Sequence, residues 1–169
     1  MYILITIIIV FVLAVLLIPT SSTVSVSTII NKPSSQVFDY IKLIKNQEHY
    51  SVWVMQDPNL KLTYTGTDGT VGFRAAWDSK VAGVGAGSQT VTTVTDSRYD
   101  VDLHFDRPMK GDNKAAIWVE SISDNQTRIT TEFYSTCNRP ANLISPIGNY
   151  IIRKSTKQNL ANLKAILEK

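Results

Sequence analysis

The chain contains one cysteine, Cys137, and two histidines, His49 and His104, in 169 residues. A single thiol excludes an internal disulfide framework, and two imidazoles beside it leave too few soft ligands for a structural zinc site. Charge is also sparse, at 18% of residues against 44% hydrophobic, with a formal net charge of +3. That balance excludes the broad positive field of a nucleic-acid-binding surface. The charge that exists is uneven. Residues 151–169 carry Arg153, Lys154, Lys157, Lys164 and Lys169 against Glu168, a net +4, so the remainder of the chain sums to −1. On a helix these residues form a solvated basic face; contact with anionic lipid headgroups is the sharper alternative.

A complete nucleotide motif is missing too. The stretch VAGVGAGSQT, residues 81–90, spaces Gly83, Gly85 and Gly87 two apart. A dinucleotide fingerprint needs its third glycine at position 88, where Ser88 stands, and must open a helix whose N–H groups receive the phosphate. The following SQTVTTVT is rich in β-branched residues, and no G-x-x-x-x-G-K-[ST] occurs anywhere. These glycines predict a hairpin bend, or a bulge where a strand begins.

What the chain does have is a long apolar run at its start. Residues 2–18 read YILITIIIVFVLAVLLI without charge, Gly or Pro, and Pro19 ends the run. As a helix it is about 26 Å long against a hydrocarbon core of about 30 Å. No Lys or Arg precedes it, as a cleaved signal peptide requires, although Thr20, Ser21, Ser22 and Thr23 are small. The expectation is an uncleaved single-pass anchor over residues 1–20 that tethers a folded domain, residues 23–169, to a membrane. A cleaved signal and a buried helix are the alternatives. The nearest flanking charge, Lys32, is too isolated to orient an anchor.

Beyond the run, Val24, Val26, Thr28 and Ile30 alternate with small polar residues and predict a strand. Pro33 and Ser34 start a helix with Val37, Phe38, Ile41 and Ile44 on one face, and a short second helix covers 46–53. From Lys61 the period is two, and six strands follow, separated by turn signals at 67–69, 81–87, 96–97, 108–113 and 124–125. Short connections between them imply an antiparallel meander. Residues 147–167 return to helical spacing. The order β-α-α-β6-α predicts an α+β fold in which a curved antiparallel sheet of about seven strands wraps the long C-terminal helix.

Such a sheet cannot close on one helix, so the space between them is a candidate cavity. Alternation turns Tyr64, Phe73 and Trp77 inward on the first strands of the meander, then Val91, Leu103 and Phe105, then Ile129 and Phe133. With Trp53 these are the candidate lining residues; plain core packing is the competing reading. The strand over 115–122 is apolar on both faces, which leaves the direction of Trp118 open.

These residues carry a resemblance. Ile29 or Ile30, Pro33, Val37, Phe38, Tyr40 and Ile41 match an I-x-x-P-x-x-x-V-F-x-Y-I pattern. Trp53 precedes Asp57-Pro58; Gly69, Gly72 and Trp77 form G-x-x-G-x-x-x-x-W, Gly85 and Gly87 form G-x-G, and Phe105 and Pro108 form F-x-x-P. Over residues 24–167 the chain resembles the START-like (SRPBCC) superfamily with the helix-grip fold, in particular bacterial polyketide cyclase/dehydrase-like members with an N-terminal membrane segment. It departs at Thr131, where similar sequences often carry tryptophan.

The resemblance implies a small hydrophobic or amphipathic, lipid-like ligand between sheet and helix, with Arg107, Pro108 and Pro140 on the lips; separately, neither a metal nor a cofactor is expected. Combined with the apolar run, it implies a membrane-tethered binding module. A cyclase or dehydrase acting on an aromatic precursor is the alternative, and a protein-interaction or chaperone-assisting module a third. An enzyme needs an inward ionisable group, for which His104, Arg74, Glu132 and Asp106 are the candidates. Asp102, His104 and Asp106 share one strand face, opposite Val101, Leu103 and Phe105, and are read as a solvent-facing row.

Overall fold

The computed structural model describes residues 2–169. Strand β1 (Ser21–Ile30) is followed by α2 (Ser34–Ile41) and the short helices α3 (Gln47–Tyr50) and α4 (Val52–Met55). The meander β2 (Lys61–Thr65), β3 (Arg74–Asp78), β4 (Ala86–Val94), β5 (Arg98–Arg107), β6 (Gly111–Ser123) and β7 (Gln126–Thr136) then leads to α5 (Ser145–Leu167). Together the strands form one antiparallel sheet in the order β1-β7-β6-β5-β4-β3-β2. β1 closes onto β7 because its alternate residues Val24, Val26 and Ile30 are apolar and become buried.

The helices between β1 and β2 plug one end of the curved sheet. Val37 and Ile41 of α2 are fully buried, and Ile44 of the following 3-10 turn nearly so. They join Phe73, Val91, Tyr99, Val101 and Ile129 in the principal core. No local side chain caps that 3-10 turn. Asp68, from the β2–β3 turn, does so instead: its carboxylate accepts from the backbone N–H of Ile44 at 2.8 Å and of Lys45 at 3.1 Å. Asp68→Ala is therefore expected to lower stability by about 1–2 kcal/mol, measured as a shift in urea midpoint at unchanged slope.

α5 lies along the concave face, burying Leu160 and Leu163. Two of its basic residues are engaged with β1: Lys164 Nζ donates to the Ile29 carbonyl at 2.6 Å and Arg153 Nη1 to the Ser25 carbonyl at 3.2 Å. Trp118 lies on the opposite sheet face from Ile117, with the Arg98 guanidinium 5.3 Å from its ring centre.

The membrane anchor expected over residues 1–20 is overturned. Helix α1 spans Tyr2–Leu17, 16 residues, or about 24 Å of rise, shorter than a hydrocarbon core of about 30 Å. Among the described residues no helix is long and apolar enough to cross a membrane. Its end falls just before Pro19 and is held by the folded domain. Arg139 donates to the carbonyls of Val15 and Leu16, and the amide of Asn142 donates to those of Val15 at 2.8 Å and Ile18 at 2.7 Å. These bonds satisfy the last carbonyls of α1 before Pro19 and turn the chain into β1.

Candidate ligand-binding cavity

Between the concave face and α5 lies a cavity of about 700 Å³, within the size range of small-molecule sites. It exists because the sheet curves away from α5 faster than side chains fill the gap. At the plugged end Ile41, Tyr99, Val101 and Leu163 are buried. Toward the other end Met109 of the β5–β6 turn is 59% exposed and Ile147 of α5 is 65% exposed, which marks the mouth.

Of the candidate lining residues, Trp53, Tyr64 and Trp77 border the cavity on the α4, β2 and β3 side. Leu103, Phe105, Ile129 and Phe133 border it from β5 and β7. Phe73 and Val91 do not: both are almost completely buried at the plugged end, where Phe73 stacks on Tyr64 with ring centres 5.9 Å apart. Alternation placed them on the correct face but could not tell which end of that face is filled. At the lips, Pro108 borders the mouth, whereas Pro140 does not and Arg107 turns outward to Asp78 at 2.5 Å.

The glycine stretch builds one wall. Gly85 has φ +65°, and a register shift lies between Ala86 and Gly87, so β4 begins with a bulge. A Cβ on Gly87 would stand 2.7 Å from Trp77 Cζ2 and 2.3 Å from the His104 carbonyl oxygen, so glycine permits the indole to lie against the strand. Trp77 in turn meets Phe105 edge-on at 5.6 Å. The residue pair named in the G-x-G motif is thus a packing device, with no helix following it.

Arg74, His104, Asp106 and Glu132 do not border the cavity. They were the leading candidates for the inward ionisable group that the enzyme reading needs; the ionisable side chains bordering the cavity include instead Glu48, Tyr50, Tyr64, Tyr99 and Lys110. Glu132 instead accepts from the Tyr134 hydroxyl. His104 Nδ1 pairs with Asp112 at 2.5 Å and Nε2 lies 3.4 Å from Asp106, all on the outer surface. The hydrogen bond to Asp112 holds the imidazole pKa above its ordinary value, against an opposing desolvation and with further support from both carboxylate charges. Because the folded pKa exceeds the unfolded one, the stabilisation is complete below about pH 6.5 and is lost as pH rises through the folded value. Asp112→Asn is expected to lower the His104 pKa in an NMR titration and to flatten the pH dependence of stability across that window. No group of three or more His, Cys, Asp or Glu stands together as a metal cage among the described residues.

Sequence reasoning missed the polar part of the cavity: Gln47, Tyr50, Gln89 and Tyr99 all border it. Gln89 could have been found, since it shares the inward parity of Val91 in β4. Gln89 Nε2 donates to Gln47 Oε1 at 2.8 Å. The Tyr50 and Tyr99 phenols are held well above their ordinary pKa, chiefly by burial, so both stay neutral. Tyr64, whose hydroxyl donates to Glu48 at 2.5 Å, is also raised, first by burial and then by that carboxylate.

A seven-stranded antiparallel sheet gripping a C-terminal helix, with two short helical segments plugging one end, defines the START-like helix-grip fold. Solved structures share it. The chain is similar to a protein of Chromobacterium violaceum at 15% identity, with a TM-score of 0.62 over 87% of this chain and 97% of that one. It is similar to norcoclaurine synthase from Thalictrum flavum, solved with dopamine and hydroxybenzaldehyde, at 10% identity and a TM-score of 0.65 over 86% of each chain. The Aha1 dimer from Colwellia psychrerythraea is similar at 13% identity, with a TM-score of 0.60 over 87% of this chain and 96% of that one. Likeness at these identities shows the fold alone. No family model matches the chain, and no curated protein does. The narrower expectation of a member carrying a membrane segment falls with the anchor.

Proposed function

We propose that this protein binds a small, mainly apolar ligand in the cavity between its sheet and α5. The observation that carries this reading is the cavity itself: about 700 Å³, lined chiefly by aliphatic and aromatic side chains and open to solvent at Met109 and Ile147. Trp53, Tyr64, Trp77, Leu103, Phe105, Ile129 and Phe133 are the residues proposed to touch the ligand, with Pro108 at its mouth. The reading no longer includes tethering to a membrane, a membrane partner or a single-pass location.

Native mass spectrometry of the full chain, expressed and purified without detergent, tests the proposal. A stoichiometric mass lost on solvent extraction, together with recovery of the same mass when the extract is added back, is the expected result. A chain that retains nothing and takes up no apolar probe overturns it.

A further inference from the structure

Polar groups border the cavity in more than one place: Ser135 and Asn149, on β7 and α5, are paired through Ser22, and a second set lies near the plugged end. Tyr99 is 2% exposed and Tyr50 8% exposed, yet both border the cavity. Their neighbours are Gln47, which reaches in from α3, and Gln89 from β4, joined by the 2.8 Å amide hydrogen bond. Asn142 Oδ1, far from this cluster in sequence and outside the cavity lining, is the one fully buried side-chain polar atom without a partner among the described residues. The phenols and carboxamides of the cluster are accordingly either paired or open to the cavity.

Charge is sparse on the lining, and the one charge beside this set is negative: Glu48 stands between Gln47 and Tyr50 on α3. Among the described residues Glu48 and Lys110 are the only charged side chains on the lining; both residues are exposed, and Glu48 is already engaged by Tyr64. The plugged end therefore offers neutral donors and acceptors and no cation to balance a buried carboxylate or phosphate. Taking such an anion out of water without a counter-charge is far more costly than burying a hydroxyl or carbonyl that finds hydrogen bonds.

We infer that Gln47, Tyr50, Gln89 and Tyr99 form a recognition site for one uncharged hydrogen-bonding group, a hydroxyl or carbonyl, at the inner end of an otherwise apolar ligand. This rests on the proposed binding function and narrows it: the ligand is a neutral, single-headed amphiphile that enters with its polar end first. Its apolar remainder lies against Phe105, Phe133 and Trp77 and reaches toward the mouth.

The test uses the full chain and four probes of matched length: 1-decanol, 2-decanone, decane and decanoate at pH 7.5. Trp53 and Trp77 report binding by fluorescence, since both border the cavity, whereas Trp118 lies outside it. Decanol and decanone are expected to bind at least about tenfold more tightly than decanoate, because only the anion meets an uncompensated desolvation. Tyr99→Phe and Gln89→Met, both close to isosteric, are each expected to weaken decanol binding by about 3- to 10-fold while leaving decane unchanged. Amide NMR spectra whose shifts are confined to the neighbours of each substitution confirm that the variants keep the native core. Decanoate binding as tightly as decanol, or variants that affect decanol and decane alike, overturns the recognition site while the cavity reading stands. Failure of all four probes to bind overturns the binding function itself, and the recognition site with it.

Discussion

Gly85→Ala is expected to destabilise the domain by about 3 kcal/mol or more, the largest effect of any single methyl added to this chain. Two separate costs combine there. The residue has φ +65°, and an added Cβ would sit 2.1 Å from the carbonyl oxygen of Arg107 and 2.6 Å from its carbonyl carbon. Those atoms belong to the backbone of β5, which pairs with β4 at that point, so relief requires separating two strands rather than turning a side chain. Gly83→Ala is the control. It has an ordinary φ, and its nearest neighbour would be Gln56 Oε1 at 3.7 Å, so stability should stay within about 1 kcal/mol of the parent. Urea denaturation of both variants checks the contrast; equal midpoints would refute the account of the bulge as a close-approach point.

The second large effect concerns binding and leaves stability intact. Gly148 lies in the first turns of α5, borders the cavity, and has open space where a side chain would extend. Gly148→Ala is expected to stabilise α5 by about 0.5–1 kcal/mol, because glycine is the more costly residue inside a helix. Gly148→Phe should retain part of that gain while placing a ring across the mouth. Affinity for 1-decanol is then expected to fall at least about tenfold with no loss in thermal midpoint. Undiminished binding by the folded Phe variant would place ligand entry elsewhere.

These two glycines illustrate what the sequence discloses. Gly85 is conspicuous in VAGVGAGSQT, and the β-branched residues after it exclude a phosphate-binding helix start. Gly148 carries no comparable signal, because its role depends on the cavity across from it. The aromatic lining divides similarly. Leu103 and Phe105 could be assigned to the inner face by alternation with Asp102, His104 and Asp106, and they border the cavity. Phe73 and Val91 satisfy the same alternation but pack against the plug formed by α2 and the following turn. Pro19 signals locally where the apolar helix stops, and the helix ends at Leu17; what the run did not disclose is that Arg139 and Asn142 of the folded domain take up its last carbonyls.

The order of strands and helices, the antiparallel meander and the positions of its turns were determined by the sequence alone, because periodicity and turn chemistry act between residues a few positions apart. Tertiary structure decided the docking of the end of α1 on Arg139 and Asn142, the filled and empty ends of the concave face, and the meeting of Gln47 with Gln89 across 42 positions. A cavity is the space that several distant elements fail to fill together, and no local pattern encodes that difference. The polar cluster at its inner end exists only because α3, β4 and β5 converge there.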